Sequence, residues 1–341
     1  MRAYRLLDWQ QPDFDDVADP EPGPGEVLVR VGGVGLCHSD ALFLESPAGV
    51  LPYDVPFTLG HETAGWVEML GEGVDDLAVG DAVAVACMSP CWSCRWCTRG
   101  ADNYCVDSWR GRGFGRDGGL APLIAVNRRE VAPLGALDPR IVAPLTDAGA
   151  TSYHAVQRVR AKLPSNDATV VVIGVGGLGG YAVQWLKLQT SARIVAVEAK
   201  ESRMHAAREM GVDDVVEGGE GLSRRLRETV GVDGADGILD FVGSDATVNA
   251  AIRNAATMGA VAIVGQGFGT AQLRWGQLRH DCDVFIPQGA PIAELHEVVA
   301  LAQRHELRHD VEQFAFEETP AAYERLTAGT LDGRAVVLPS G

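Results

Sequence analysis

The stretch Val170-Val171-Val172-Ile173-Gly174-Val175-Gly176-Gly177-Leu178-Gly179 constrains the fold of this chain more than any other. A β-branched apolar run, a strand signal, leads directly into G-x-G-x-x-G. Gly174 permits a tight turn, Gly176 lets the backbone approach a pyrophosphate, and Gly179 lets the helix pack closely on the strand. Gly177 and Leu178 then open a helix whose unpaired N–H groups face the phosphates. Glu198 closes the next strand-like run about 20 residues on, where an acid binds ribose hydroxyls and repels a 2′-phosphate. The pattern thus predicts a dinucleotide site that prefers NAD to NADP. Arg203 joins its candidate residues, and Lys200 and Arg203 both add positive charge nearby.

The surrounding sequence agrees. Apolar runs at 169–174, 193–198, 237–242, 260–265 and 283–287 alternate with helix-like stretches at 178–188, 202–210 and 246–258. Gly211 and Gly259 stand where helix C-caps belong. Strand–helix alternation of this kind predicts a parallel sheet covered on both faces. Before residue 140 the texture differs: short runs such as Val27–Val31 and Ala82–Val85 follow Gly- and Pro-rich turns, which predicts a β-rich barrel or sandwich. After Pro291 come two helical stretches, the second with Thr319-Pro320 as N-cap and N1, and a closing strand at 335–339.

Cys91, Cys94, Cys97 and Cys105 lie within one short loop, four of the chain's 7 cysteines. Four thiolates at x-x spacing suit a closed tetrahedral zinc site, and leave little room for two good disulfides. Elsewhere Cys37-His38-Ser39-Asp40 and Gly60-His61-Glu62 offer further ligand types beside acids. Taken singly, each is a weak signal.

In combination these features resemble the zinc-dependent medium-chain dehydrogenase/reductase family, and within it the alcohol dehydrogenases of bacterial secondary-alcohol type. The matching stretches are Pro22 to Val27, Cys37 to Asp40, Gly60 to Glu62, Gly80 to Val83, the cysteine cluster and the glycine motif, in the family's order. The resemblance implies an α/β protein, with a GroES-like β-barrel catalytic domain (1–147 and 287–341) and an inserted Rossmann doubly wound parallel sheet (148–286). It implies two zinc ions per chain. One is structural, on the four clustered cysteines, and one catalytic, on Cys37, His61 and Asp147. Many members have Cys at the third position; a carboxylate there is an equally sound ligand.

The implied reaction passes a hydride between an alcohol and NAD, giving aldehyde or ketone, and the reverse. Glu62 stands as the acid beside the metal, Ser39 as the hydroxyl that takes the alcohol proton, and His38 as a candidate to pass it on. The histidine that ends this relay in many members is absent; Ala41-Leu42-Phe43 stands there. Tyr53, Cys87 and Trp109 are candidate pocket residues. The Gly- and Arg-rich loop 110–119 reads as a solvated loop or a mobile one near the site. Two rivals stand beside this reading: a polyol, threonine or aldehyde-adduct dehydrogenase on the same scaffold, and a catalytically silent zinc and nucleotide binder.

A net charge of −17 argues against nucleic acid or an anionic membrane surface as partner. No apolar run is long enough to span a bilayer, and the start of the chain carries no signal-like core. The expected setting is the cytoplasm, the expected partner a small alcohol or carbonyl compound, and the expected assembly a homodimer or homotetramer.

Overall fold

The computed structural model describes residues 1–51, 53–107, 110–331 and 333–340, and the side chain of Phe43 is also left out of the description. Trp109, a candidate pocket residue, lies outside the described residues. The chain divides into two compact units, Met1–Ala150 with Ala290–Gly341, and Thr151–Gly289.

The first unit begins with β1 (Arg2–Asp8), β2 (Gln11–Asp16) and β3 (Glu26–Gly35), then helix α1 (His38–Glu45). It continues through β4 (Phe57–Thr58), β5 (Glu62–Leu70), β6 (Ala82–Val85), β7 (Leu123–Asn127) and β8 (Val131–Pro133) to α2 (Pro139–Val142). A 3-10 turn, Ala143–Thr146, leads into α3 (Ala148–Arg160). The second unit holds β9 (Thr169–Ile173), α4 (Gly177–Gln189), β10 (Arg193–Glu198), α5 (Glu201–Glu209), β11 (Asp214–Glu217) and α6 (Leu222–Val230). It closes with β12 (Ala235–Asp240), α7 (Asp245–Asn254), β13 (Ala255–Ile263) and β14 (Asp283–Phe285). The chain then returns to the first unit with α8 (Ile292–Arg304), β15 (Val311–Ala315), α9 (Thr319–Thr327) and β16 (Arg334–Leu338).

In the first unit a three-stranded sheet runs β2-β1-β4, and a larger one runs β15-β16-β3-β5-β6-β8 with β7 on β3. Alternate residues of these strands point to one side, and Val27, Val29, Val31, Val67, Val83 and Val85 meet there in a common core. The register has a direct consequence for chemistry. β3 and β5 are antiparallel with Gly35 opposite Glu62, which brings Cys37, just past the end of β3, level with His61, just before β5. The strands meet so closely there that a Cβ on Gly35 would stand 2.0 Å from a Glu62 carboxylate oxygen, so only glycine fits.

In the second unit six strands run β11-β10-β9-β12-β13-β14, all pairs parallel. Strand order reverses next to β9, the switch point beside which doubly wound sheets bind nucleotides. Val171, Ile173, Val195, Val197 and Ile238 form much of its buried core. Strands buried on both faces need continuous apolar runs rather than alternation, which is how these segments read.

Two boundaries differ from the sequence expectation. The helix expected at 246–258 stops at Asn254, and 255–258 is strand. Ala-Ala-Thr-Met has no strong helix-breaking feature, but contacts distant in sequence override local preference: Ala255 pairs with Ala235 of β12, and Met258, with φ of +61°, donates its N–H to His280 O at 2.9 Å. Gly259 therefore lies inside β13 rather than capping a helix. Thr319 is the first helical residue, not the N-cap. The turn begins earlier, at Phe316–Glu318, with the Glu318 carboxylate accepting the Ala315 N–H at 2.8 Å. Gly211 does sit just past α5 with φ of +73°, as a C′ glycine should.

Candidate active site and metal centres

Four ligand types converge where β3, β5 and the turn before α3 meet. Atoms of Cys37, His61, Glu62 and Asp147 lie within 4.8 Å of one another. Cys37 is the N-cap of α1, and the 3-10 turn Ala143–Thr146 packs on β5 and β3 to present Asp147. His61 is 2% exposed and Cys37 8%. The Asp147 side chain, at 15%, is the more open one.

The His61 ring explains itself on one side only. Its Nδ1 meets Asp40 Oδ1 at 2.9 Å, and the other Asp40 oxygen accepts the Cys37 N–H at 3.0 Å. One carboxylate thus fixes both the imidazole and the start of α1. Opposite, Nε2 is buried with no hydrogen-bond partner and lies 3.5 Å from Asp147 Oδ2. Tetrahedral zinc bonds of about 2.0–2.3 Å place ligand atoms roughly 3.3–3.8 Å apart. An orphaned imidazole nitrogen 3.5 Å from a carboxylate, with a thiol within 4.8 Å, fits a zinc ion. Burial opposes charge on His61, yet the Asp40 and Asp147 carboxylates hold its pKa well above the ordinary value; these negative surroundings favour a cation, and a metal ion would have to displace the Nε2 proton to bind.

Glu62 has a different partner, which the sequence reading did not identify. Its carboxylate is held by two nitrogens of Arg334, with Arg334 Nε at 3.0 Å from Oε2. Burial pushes the Glu62 carboxyl up, and the guanidinium pulls against it. The pairing follows from register: β16 lies beside β3 with Val336 opposite Gly35, so Arg334 falls on the same face two residues away. Arg334 lies 272 residues from Glu62, beyond the reach of local pattern.

Two residues flank the metal group. The Phe114 ring lies on the His61 ring, centroids 4.3 Å apart, and Cys87 is near enough to feel the charges of Asp147, His61, Glu62 and Cys37. Burial pushes the Cys87 thiol up to about 12, so it remains a neutral, apolar neighbour. Tyr53 packs at Gly115, in the same loop as Phe114. That loop is neither merely solvated nor loose. Arg112 grips Glu130 at 2.6 and 3.0 Å, Glu130 also accepts from Ser89 at 2.8 Å, and the Gly118 N–H donates to Thr58 O at 2.8 Å. Ser39 is half-buried in the first turn of α1, and His38 beside it is exposed.

The four-cysteine loop forms a second group. Cys94 and Cys97 sulfurs are 3.5 Å apart, and Cys91 and Cys97 sulfurs 3.9 Å. Backbone N–H groups point at the sulfurs: Cys94 at Cys91 Sγ, and Cys91 and Asp107 at Cys105 Sγ, at 3.3–3.4 Å. Such donors favour thiolates. The Ser93 backbone N–H and hydroxyl hold Cys91 down to about 6. With four sulfurs and no open corner, the group fits a structural zinc.

In the second unit Gly174 has φ of +83°, and a Cβ on Gly179 would stand 1.9 Å from Gly174 O, so helix and strand approach as the motif requires. Gly176 is the N-cap of α4, and Gly177 and Leu178 are its first residues. Glu198 turns toward this loop: one oxygen accepts the Val175 N–H at 3.0 Å, the other those of Ala199 and Lys200 at 2.8 and 3.2 Å. The Arg203 guanidinium stands over Gly176, within 3.2 Å of where a Cβ would be.

Residues 23–136 match the family model described as alcohol dehydrogenase GroES-like domain, and 177–304 the one described as zinc-binding dehydrogenase. An NAD-dependent alcohol dehydrogenase of Sulfurisphaera tokodaii is 34% identical over 259 residues, covering 73% of this chain and 74% of that one. This chain belongs to the zinc-binding alcohol dehydrogenases. It is an enzyme of the medium-chain type, a GroES-like domain with a Rossmann-like parallel sheet. The crystal structure of an alcohol dehydrogenase from Aeropyrum pernix superposes with a TM-score of 0.90 at 33% identity, covering 99% of this chain and 100% of that one. A D-arabinose 1-dehydrogenase (NADP(+)) of Saccharolobus solfataricus is 29% identical over 99% of this chain and 97% of its own.

Proposed function

We propose that this enzyme oxidises an alcohol, primary or secondary and predominantly apolar, with NAD as hydride acceptor, and catalyses the reverse reduction. The observation that carries the reading is the buried, unpartnered Nε2 of His61 gathered with Cys37 and Asp147. Three protein ligands leave a tetrahedral ion one open position. Cys37, His61 and Asp147 would hold a zinc ion, which would supply Lewis-acid chemistry at the substrate oxygen, and NAD would supply the hydride acceptor.

The chain's own residues do the rest. Asp40 holds the imidazole by Nδ1, which fixes its tautomer and keeps Nε2 turned to the ion. Arg334 holds Glu62 beside the ligand set. Ser39, in the first turn of α1 behind Cys37, takes the alcohol proton, and exposed His38 releases it to water. Phe114 and neutral Cys87 exclude water from the open side and favour an apolar substrate.

Glu198 receives the ribose hydroxyls and disfavours a 2′-phosphate, and Arg203 stands over the glycine turn where the pyrophosphate binds. Cys91, Cys94, Cys97 and Cys105 would hold a second ion, whose role would be structural.

Segment 268–286 exposes Phe268, Leu273, Trp275 and Ile286, Trp275 at 92%, which supports assembly as a homodimer or homotetramer. None of the 7 cysteines is in a disulfide, which suits a reducing compartment, and we place the enzyme in the cytoplasm, with neither nucleic acid nor membrane as partner. Among the described residues no helix is long and apolar enough to cross a membrane.

A polyol or sugar substrate is the second reading, favoured by the arabinose dehydrogenase relative. A panel of secondary alcohols, polyols and aldoses with NAD and NADP, followed by nicotinamide absorbance before and after chelation, decides. Chelator-sensitive reduction of NAD with apolar alcohols supports the proposal; turnover confined to polyols or sugars, or to NADP, overturns it.

A further inference from the structure

Helix α8 lacks a cap of its own. Pro291 stands at its N-cap, and the proline ring offers nothing to the first-turn N–H groups. A residue far upstream fills the gap: Asp102 Oδ1 accepts the Ile292 N–H at 2.9 Å across 190 residues. Asp102 is 6% exposed, and it sits between Cys97 and Cys105, in a 3-10 turn closed by the Cys105 N–H on Asp102 O at 2.9 Å. The four-cysteine loop therefore sets where this carboxylate stands.

The far side of α8 leads to the other metal group. Its buried residues include Leu295, Val298 and Val299, and the helix packs on the turn Ala143–Thr146. A Cβ on Gly149 would lie 3.6 Å from Val298 Cγ1 and 2.9 Å from Leu145 Cδ2, so α8, Leu145 and the start of α3 are in close contact. Asp147 lies between Leu145 and Gly149.

We propose that Asp102 is a positioning residue for the catalytic metal: the four-cysteine loop fixes α8 through Asp102, and α8 fixes the turn that presents Asp147. The two metal sites are thereby linked. The inference rests on Cys37, His61 and Asp147 being the catalytic ligands.

The test uses the full chain with zinc in the cysteine loop and cobalt(II) exchanged into the other site. The visible cobalt band and the rate of cobalt loss to a chelator are compared for wild type, Asp102→Asn, Asp102→Ser and Asp102→Ala. The alanine variant should lose cobalt about fivefold faster, the scale of one lost cap, and shift its band, while loop zinc is retained. The asparagine variant keeps an oxygen acceptor and should stay near wild type. Unchanged loss rate and band in the alanine variant, with only the melting temperature lowered, would overturn the link. So would an asparagine variant as fast as alanine. Where the alanine variant fails to fold, the serine variant, a shorter acceptor, is read against asparagine in the same two ways. A wild type that takes up no cobalt outside the loop overturns the ligand assignment itself, and the link with it.

Discussion

The two metal groups are built in opposite ways. Cys91, Cys94, Cys97 and Cys105 come from one loop, and three of them are partly exposed. They lean on backbone N–H groups close by in sequence. Cys37, His61 and Asp147 come from three separate segments, the first two brought level by strand register and the third by the packed turn Ala143–Thr146, and lean on side chains: Asp40 behind His61, and Arg334 on neighbouring Glu62. A local loop of four sulfurs can grip an ion but leaves no open corner. A site assembled from distant segments and braced from outside can keep a corner open without collapsing, because its ligands are held by the fold and not by the ion alone.

The sharpest way to break this contrast is to remove one ligand from each group. His61→Ala should lower kcat/KM by more than about a hundredfold, beyond what losing an outer partner does, while most of the folding stability survives. Cys97→Ser should do the reverse. The melting temperature should fall by roughly 2–4 °C for each kcal/mol of stability lost, with turnover of the folded fraction largely kept. Calorimetry and steady-state kinetics on the same preparations check both, and a reversal of the two patterns would abolish the distinction.

Arg334→Met probes the bracing next. It leaves Glu62 buried without its counter-charge and should destabilise the protein by about 3–5 kcal/mol in denaturant melts. The double variant with Glu62→Gln should recover much of that loss, since the unpaired charge is gone. No recovery would mean that Arg334 acts by packing.

Asp40→Asn is a milder intervention. An amide in place of the carboxylate weakens the hold on His61 Nδ1 and should reduce metal affinity or turnover about 10–100-fold, with little change in the melting temperature. A competition assay with a metal-sensitive dye reads it.

The smallest effect is expected outside both ligand sets, at Asp138, the N-cap of α2. Its hydrogen bond with Arg140 holds the carboxyl below the ordinary value. A folded-state pKa below the unfolded one gives stability that is present at neutral pH and lost as pH falls through the folded pKa. Arg140 is exposed and Asp138 half-buried, with 33% of its side chain exposed, so solvent screening limits Asp138→Asn to a few tenths of a kcal/mol, roughly, seen above about pH 4 and absent well below it.

The same contrast explains what could be read from the sequence. The cysteine loop and the turn Gly174 to Gly179 are local patterns, and the chemistry of each needs those residues at that spacing. Cys37, His61 and Asp147 carry no common local signal and were legible through family resemblance. Arg334 and Phe114 escaped because nothing near them in sequence marks a partner. Arg334 meets Glu62 through the pairing of β16 with β3, and Phe114 meets His61 through a loop tied down by Arg112 on Glu130 and by Gly118 and Gly119 on Thr58 and Gly60. The strand at 255–258 escaped for a related reason, since its partners, Ala235 for Ala255 and His280 for Met258, lie about 20 residues away in sequence.

Counting metal tests the central claim most directly. Elemental analysis of purified wild type should give two zinc ions per chain, and of Cys37→Ser and His61→Ala one each, with the four-cysteine loop still filled. A wild type holding one zinc, or variants that keep both, would contradict the account.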